Sequence, residues 1–218
     1  MDEISIAFEN AYRSKRLVYR DIENNDVDKG LMHKFGPADH ISWGLVSTRL
    51  FKDINRKESL EWLGKFLESG LLLKVLICLP SSTGEDVELS KLGPGSRASK
   101  VRECATPIGS LTLSAPREGY LQAFSTTVGI CIGEDYQNQG YGAEAISWAV
   151  DWAFKFANVH RVEITTTSYN ERAAHLYQKL GFKPEGRKRE VVYMNRKYYD
   201  AIEFGMLERE WKELRGLD

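Results

Sequence analysis

Cysteine is scarce in this chain, with three in 218 residues: Cys78, Cys104 and Cys131. They are odd in number, far apart and form no C-x-x-C pair, which excludes a disulfide framework or a thiolate zinc site as the organising element. Cys131 lies in an apolar run and reads as a core residue. The four histidines (His33, His40, His160, His175) show no metal-ligand spacing. Charge of one sign is missing too. Thirty basic residues against 31 acidic ones give a net charge of −1, not the balance of a chain built to grip nucleic acid or an anionic membrane. The chain begins Met1-Asp2-Glu3 with no long apolar run behind it. That argues against a signal peptide or membrane anchor and makes the cytoplasm, with the nucleus open as well, the expected location.

What is present is an ordinary globular composition, 42% apolar and 28% charged, expected to form one domain over residues 1–218. Residues 16–20 read as a first strand, and 26–55 carry helical stretches broken at Gly36-Pro37. Residues 58–68 form a clearer helix, with Leu60, Leu63 and Leu67 on one stripe and Gly70 as its stop. Strands follow at 71–78, 108–113 and 128–133, the last two as antiparallel partners. A helix then places Ala145, Ala149, Trp152 and Phe156 on one stripe. After it come a strand at 161–166, a helix from Asn170 to Leu180 stopped by Gly181, and a closing hairpin with its turn near Asn195. This order predicts a mixed α/β architecture. Residues 80–107, rich in Ser, Gly, Lys and Glu, read as a mobile insertion between two strands.

The stretch Gln137-Asn138-Gln139-Gly140-Tyr141-Gly142-Ala143, between a strand and an amphipathic helix, carries the chemistry. Glycines let the backbone approach a bulky anion, and the helix start offers free N–H groups and a positive dipole end. The phosphate loop G-x-x-x-x-G-K-[ST] does not occur. A dinucleotide fingerprint is partly satisfied by Gly140-x-Gly142-x-x-Ala145, with Glu163 at roughly the ~20-residue distance of a ribose-binding acid. Against it, Glu134–Gln139 separate the strand from the glycines, and too little chain follows Glu163 for a doubly wound sheet.

A third reading covers more of the chain. Gln137-x-x-Gly140-x-Gly142 resembles the Q/R-x-x-G-x-G/A loop of the GCN5-related N-acetyltransferase (GNAT) superfamily. Asn170-x-x-Ala173-x-x-x-Tyr177-x-Lys179-x-Gly181-Phe182 resembles its second signature, at the right interval. The tail from Tyr198 to Phe204, with Glu210-Trp211, is similar to the ribosomal-protein alanine acetyltransferase branch. The resemblance implies a mixed, strongly twisted central sheet with flanking helices, splayed between the strands near Gly133 and Arg161. Acetyl-CoA would be the co-substrate and an amine the acceptor. Its pantetheine would bond the main chain at Ile130, Cys131 and Ile132, and its pyrophosphate the loop Gln137, Asn138, Gln139, Gly140, Tyr141, Gly142 and Ala143.

Asn170 reads equally as a helix N-cap and as a cofactor contact. Tyr177 reads as a core residue or, by the resemblance, as both a cofactor contact and the donor of a proton to the departing thiolate. No acid stands on the strand before the loop, which runs Thr126-Thr127-Val128; Glu134 and Asp135 come first after it, and Glu134 is the candidate base. Glu163, His33, His40 and a water chain are the alternatives. The chemistry expected is direct attack of a neutral amine on the thioester, with neither nucleic acid nor membrane as a partner and a monomer or homodimer as the assembly. A non-catalytic acyl-CoA-binding or partner-binding module is the other reading.

Overall fold

The computed structural model describes residue 4 and residues 11–46, 55–80, 105–115 and 124–217. Residues 81–104 of the expected insertion lie outside the described residues. Strand β1 (Val18–Asp21) is followed by helices α1 (Asp26–Phe35), α2 (His40–Val46) and α3 (Arg56–Leu67). Asn25 and Asn55 begin α1 and α3 by accepting the N–H of Asp28 and Glu58, the role for which Asn is favoured at that position. Then come β2 (Leu73–Leu79), β3 (Thr106–Leu113), β4 (Ser125–Ile132), a 3-10 turn (Glu134–Tyr136) and α4 (Tyr141–Phe156). The chain closes with β5 (Arg161–Thr167), α5 (Glu171–Lys179), β6 (Lys183–Met194), β7 (Lys197–Leu207) and α6 (Glu208–Arg215). Asn195 and Arg196, both at positive φ (48° and 62°), make the two-residue turn between β6 and β7, the geometry that matches the twist of a hairpin.

Among the described residues seven strands form one sheet in the order β1-β2-β3-β4-β5-β7-β6. Every pairing is antiparallel except β4 with β5, which is parallel and spans only Ser125↔Arg161, Thr126↔Val162 and Thr127↔Glu163. Beyond that point β4 stays with β3 as far as Gly109↔Ile132, and β5 stays with β7 as far as Thr167↔Ala201. Each strand follows its antiparallel neighbour, so the sheet splits into a V. This is the splayed, mixed α/β sheet that the resemblance implied.

One face of the sheet buries α4. Val128, Val162 and Ile164 meet Ala145, Ile146, Ala149, Val150 and Ala153 in a single cluster. Tyr19 stacks on Trp148 at 3.5 Å between ring centroids and 7° between planes, tying β1 to α4. On the other face Ile22, Met32, Leu63, Leu67, Leu76 and Cys78 join α1 and α3 to the sheet.

Two expected stripes shift. The buried surface of α4 is broad, including Ala145, Ala149 and Ala153 as well as Ile146, Val150 and Phe154. Trp152 is half-buried, and Phe156, in the last turn, is 41% exposed. On α3 the buried line is Ser59, Leu63 and Leu67, with Leu60 half-buried beside it.

Candidate active site

The V is where main-chain groups come free. Gly133 N–H bonds the Ile108 carbonyl, and Ser114 N–H bonds the Thr127 carbonyl. In an antiparallel pair such bonds alternate, so the odd-numbered residues of β4 exchange with β3. The even-numbered ones turn toward β5. Past the last pair, Thr127↔Glu163, this directs the N–H and C=O of Ile130 and the N–H of Ile132 into the opening. The Ile132 carbonyl on the same edge accepts from Gln137 Nε2 at 3.0 Å. A cleft of about 390 Å³ occupies the opening.

At its mouth the loop after β4 feeds α4. Asn138 and Gly140 adopt left-handed conformations, with φ of 60° and 82°, the second suited to glycine. Gly140 is the N-cap of α4 and supplies no side chain. The first intrahelical bond runs from Glu144 N–H to the Gly140 carbonyl, so the N–H groups of Tyr141, Gly142 and Ala143 have no partner within the helix. A Cβ on Gly142 would have only Ile132 Cγ1 near it, at 3.8 Å. Gly142 thus leaves open space beside those amides, and the site is suited to an anion with a bulky attachment.

Of the residues assigned to the cofactor from sequence, Ile130, Cys131, Ile132, Gln137, Asn138, Gly140, Gly142, Ala143, Asn170 and Tyr177 line this cleft. Gln139 and Tyr141 do not. Gln139 turns back, its Nε2 donating to the Asp135 carbonyl, and Tyr141 lies 4.6 Å beneath the Arg16 guanidinium. Neither side chain lines the cleft; only their main chain adjoins the amide cradle at the start of α4.

Some of these cleft-lining side chains also brace its lips. Gln137 Nε2 donates to Ser42 Oγ at 2.8 Å, while its Oε1 accepts from Arg172 Nη2 at 3.0 Å, joining α2 on one lip to α5 on the other. Asn170 caps α5, accepting Ala173 N–H at 3.2 Å, and donates to the Leu45 carbonyl at 3.3 Å. Tyr169 OH donates to the Gly44 carbonyl at 2.6 Å. Helix α2 therefore spans the V, packed on both β4 and β5. Arg172 also donates to Asn138 Oδ1 at 2.9 Å, a contact that sequence reasoning missed.

Tyr177 is buried on α5, edge-on to Phe204 at 5.7 Å, and its hydroxyl makes no hydrogen bond among the described residues. Burial pushes its pKa up to about 12, so it stays a neutral donor in the cleft. Cys131 is not a core residue. It is half-buried, on the α1 side of β4, and its Sγ donates to the Phe35 carbonyl. Burial, and then the Asp39 carboxylate, raise that thiol to about 12, so it is no nucleophile at neutral pH.

The candidate bases fall elsewhere. Glu134 and Asp135 are exposed on the 3-10 turn and do not line the cleft, because β4 ends at Ile132 and the turn carries both carboxylates past the opening. Glu163 shares the far face of β5 with Arg161, paired at 2.9 Å. His33 Nδ1 lies 2.9 Å from Ser59 Oγ, bracing α1 against α3, and burial followed by Arg56 lowers its pKa. His40 is exposed at the start of α2. Among the described residues that line the cleft the ionisable groups are Cys131, Arg172, His175, Lys179 and two tyrosines, with no carboxylate.

Residues 94–182 match the family described as Acetyltransferase (GNAT) family. The fold is shared with the spermidine N-acetyltransferase from Vibrio cholerae solved in complex with CoA and spermine, at a TM-score of 0.70 and 18% identity over 91% of this chain and 99% of that one. The family match covers residues 94–182 of this chain, and the fold of the solved neighbour extends over 91% of it. The spermidine N(1)-acetyltransferase of Escherichia coli (strain K12) is 30% identical over 82 residues, 38% of this chain and 44% of that protein. The [Ribosomal protein uS5]-alanine N-acetyltransferase of the same strain is 24% identical over 84 residues, 38% of this chain and 43% of that one. The chain thus spans less than half the length of these curated relatives. Among the described residues no helix is long and apolar enough to cross a membrane.

Proposed function

We propose that this protein is an acetyl-CoA-dependent N-acetyltransferase acting on a primary amine, at a protein N-terminus or on a small molecule. One observation carries the reading. The helix-start amides at Gly142 and Ala143, the main-chain edge of β4 at Ile130 with the N–H of Ile132, and Tyr177 all border the same cleft. A pyrophosphate at the amides would leave pantetheine to run along the β4 edge with its thioester in the V. With Cys78 and Cys131 as free thiols among the described residues, the chain suits a reducing cytoplasm.

In the reaction the amine nitrogen bonds the thioester carbon, the C–S bond breaks, and the proton lost by nitrogen ends on sulfur. A main-chain N–H on the β4 edge stabilises the developing oxyanion. Tyr177, raised to about 12, is a weaker acid than a thiol of pKa ~8.5. Full transfer to the thiolate runs uphill by roughly 3.5 pKa units, or about 5 kcal/mol. Its part is to hydrogen-bond the departing sulfur while the proton arrives through water.

The acceptor follows from what the described cleft offers. With no carboxylate among those lining residues, the described lining supplies neither a base for an amine of high pKa nor a counter-charge for a polycation. An α-amine of pKa ~8 is partly neutral unaided, whereas a lysine-like amine near ~10.4 costs about 3 kcal/mol more to deprotonate. This favours an α-amine over a polyamine.

Calorimetric titration with acetyl-CoA, with NADH as the control ligand, tests the reading. Micromolar acetyl-CoA binding supports it, and thiol release with an alanine-terminated peptide in preference to spermidine supports the acceptor class. Binding of NADH instead would overturn it, and tight acetyl-CoA binding without turnover of any amine would favour a non-catalytic module.

A further inference from the structure

The segment just before β1 reaches across 128 residues of sequence to the first turn of α4. Arg16 Nε donates to Glu144 Oε2 at 2.7 Å, and its main-chain N–H donates to Glu144 Oε1 at 2.6 Å. Ser14 Oγ donates to the same Oε1 at 2.7 Å and lies 2.9 Å from Tyr19 OH, whose ring is stacked on Trp148 of α4. From this anchored position Arg16 Nη1 donates to the Gln139 carbonyl at 3.0 Å, and the guanidinium covers the Tyr141 ring. Its Nη2 lies 3.2 Å from where a Cβ on Gly140 would stand.

Glu144 sits two residues past Gly142, on the same positive helix end that the cradle offers to an anion. Burial alone would raise its pKa. The Arg16 N–H, the Ser14 hydroxyl and the Arg16 guanidinium together hold it below the usual carboxylate range, so it is ionised at neutral pH. An ionised carboxylate there competes with a phosphate for the helix pole. Arg16 cancels that charge and, by holding the Gln139 carbonyl, turns the loop's acceptor away from the amides that follow it.

We propose that Arg16 is a positioning residue of the cradle. Paired with Glu144, it forms a charge-neutral latch that sets the affinity for the pyrophosphate of coenzyme A. This rests on the acetyl-CoA reading above. It also assigns a role to a part of the chain outside residues 94–182, where the family match lies.

The latch makes an ordering that simple loss of structure does not. Arg16→Ala keeps the hydrogen bonds from Ser14 and the residue-16 N–H to Glu144 but leaves its charge uncompensated beside the cradle, and should weaken CoA binding at least tenfold, with an effect that shrinks at high salt. Glu144→Gln keeps an acceptor oxygen for Ser14 and the Arg16 N–H while removing the competing charge. It should hold CoA affinity within threefold of wild type or tighten it. The double variant, neutral again, should recover most of what Arg16→Ala loses. Pantetheine, which carries no phosphate, should bind all four proteins alike. Arg16→Lys keeps the charge without the guanidinium fork and should fall between wild type and Arg16→Ala, which keeps the test decisive if Arg16→Ala does not fold.

Calorimetry of the full chain with CoA and with pantetheine, alongside thermal melts, reads all of this. Equal losses in Glu144→Gln, Arg16→Ala and the double variant would overturn the latch while leaving the cradle standing. Undiminished CoA binding by a folded Arg16→Ala would do the same. Absence of CoA binding by the wild-type protein would remove the acetyl-CoA reading itself.

Discussion

Substituting Gly142 by Asp should separate stability from ligand binding. The position is the second residue of α4, and a Cβ there would meet only Ile132 Cγ1, at an ordinary 3.8 Å. Removing a helical glycine and adding a carboxylate to the first turn both favour the helix, so the fold should hold or gain about 0.5–1 kcal/mol. A CoA pyrophosphate, however, would face a new negative charge. One charge against two at about 5 Å gives ~1.7 kcal/mol at the dielectric of water and ~6.6 at an effective value of 20. An open cleft lies between these limits, so about 2–4 kcal/mol, or at least a ~30-fold loss of CoA affinity, is expected. Gly142→Ala is the control, because it adds the methyl without the charge and keeps the G-x-G/A pattern. It should be at least as stable as wild type and bind CoA within a few-fold. Urea denaturation and CoA calorimetry on the three proteins make the comparison. A folded Gly142→Asp that binds CoA within fivefold of wild type would refute the assignment of the pyrophosphate to these amides.

Three further outcomes follow from the site. Tyr177→Phe removes a hydroxyl with no hydrogen bond among the described residues while keeping the contact with Phe204. Stability should stay within about 0.5 kcal/mol, while kcat for thiol release falls ~10- to 150-fold, the worth of a hydrogen bond to a charged sulfur. An unchanged kcat would exclude the tyrosine from the reaction. Gln137→Ala breaks the tie between Ser42, Ile132 and Arg172; unfolding in urea should show a loss of about 1–2 kcal/mol, and no loss would mean that the lips are held otherwise. Cys131, at about 12, should be alkylated by iodoacetamide roughly a thousandfold more slowly than a free thiol of pKa ~8.5 at pH 8, gaining tenfold per pH unit. Because the folded state holds this proton more tightly than the unfolded one, its contribution to stability is complete below about pH 8.5. It declines as the pH rises toward 12. Peptide mass spectrometry across that range checks the alkylation.

Local sequence determined much of this protein. The glycine loop, the helix after it and the helix that begins at Asn170 are written in contiguous residues, because backbone conformation, capping and helical periodicity are short-range effects. The order of strands and helices was legible for the same reason, and the two stretches that resemble GNAT signatures both border the same cleft between β4 and β5. What only the tertiary structure decided were contacts between distant segments. Gln137 reads as a ligand residue in its motif, yet its amide is spent on Ser42 and Arg172, 95 residues before it and 35 after it. Cys131 looks like core in an apolar strand, but alternation on β4 turns it toward α1. Glu134 is next to the right strand and still misses the cleft, because the chain turns at Ile132. Arg16 carried no local signal at all. Its place beside the cradle depends on β1 docking against α4, a long-range packing event that no spacing within the loop encodes.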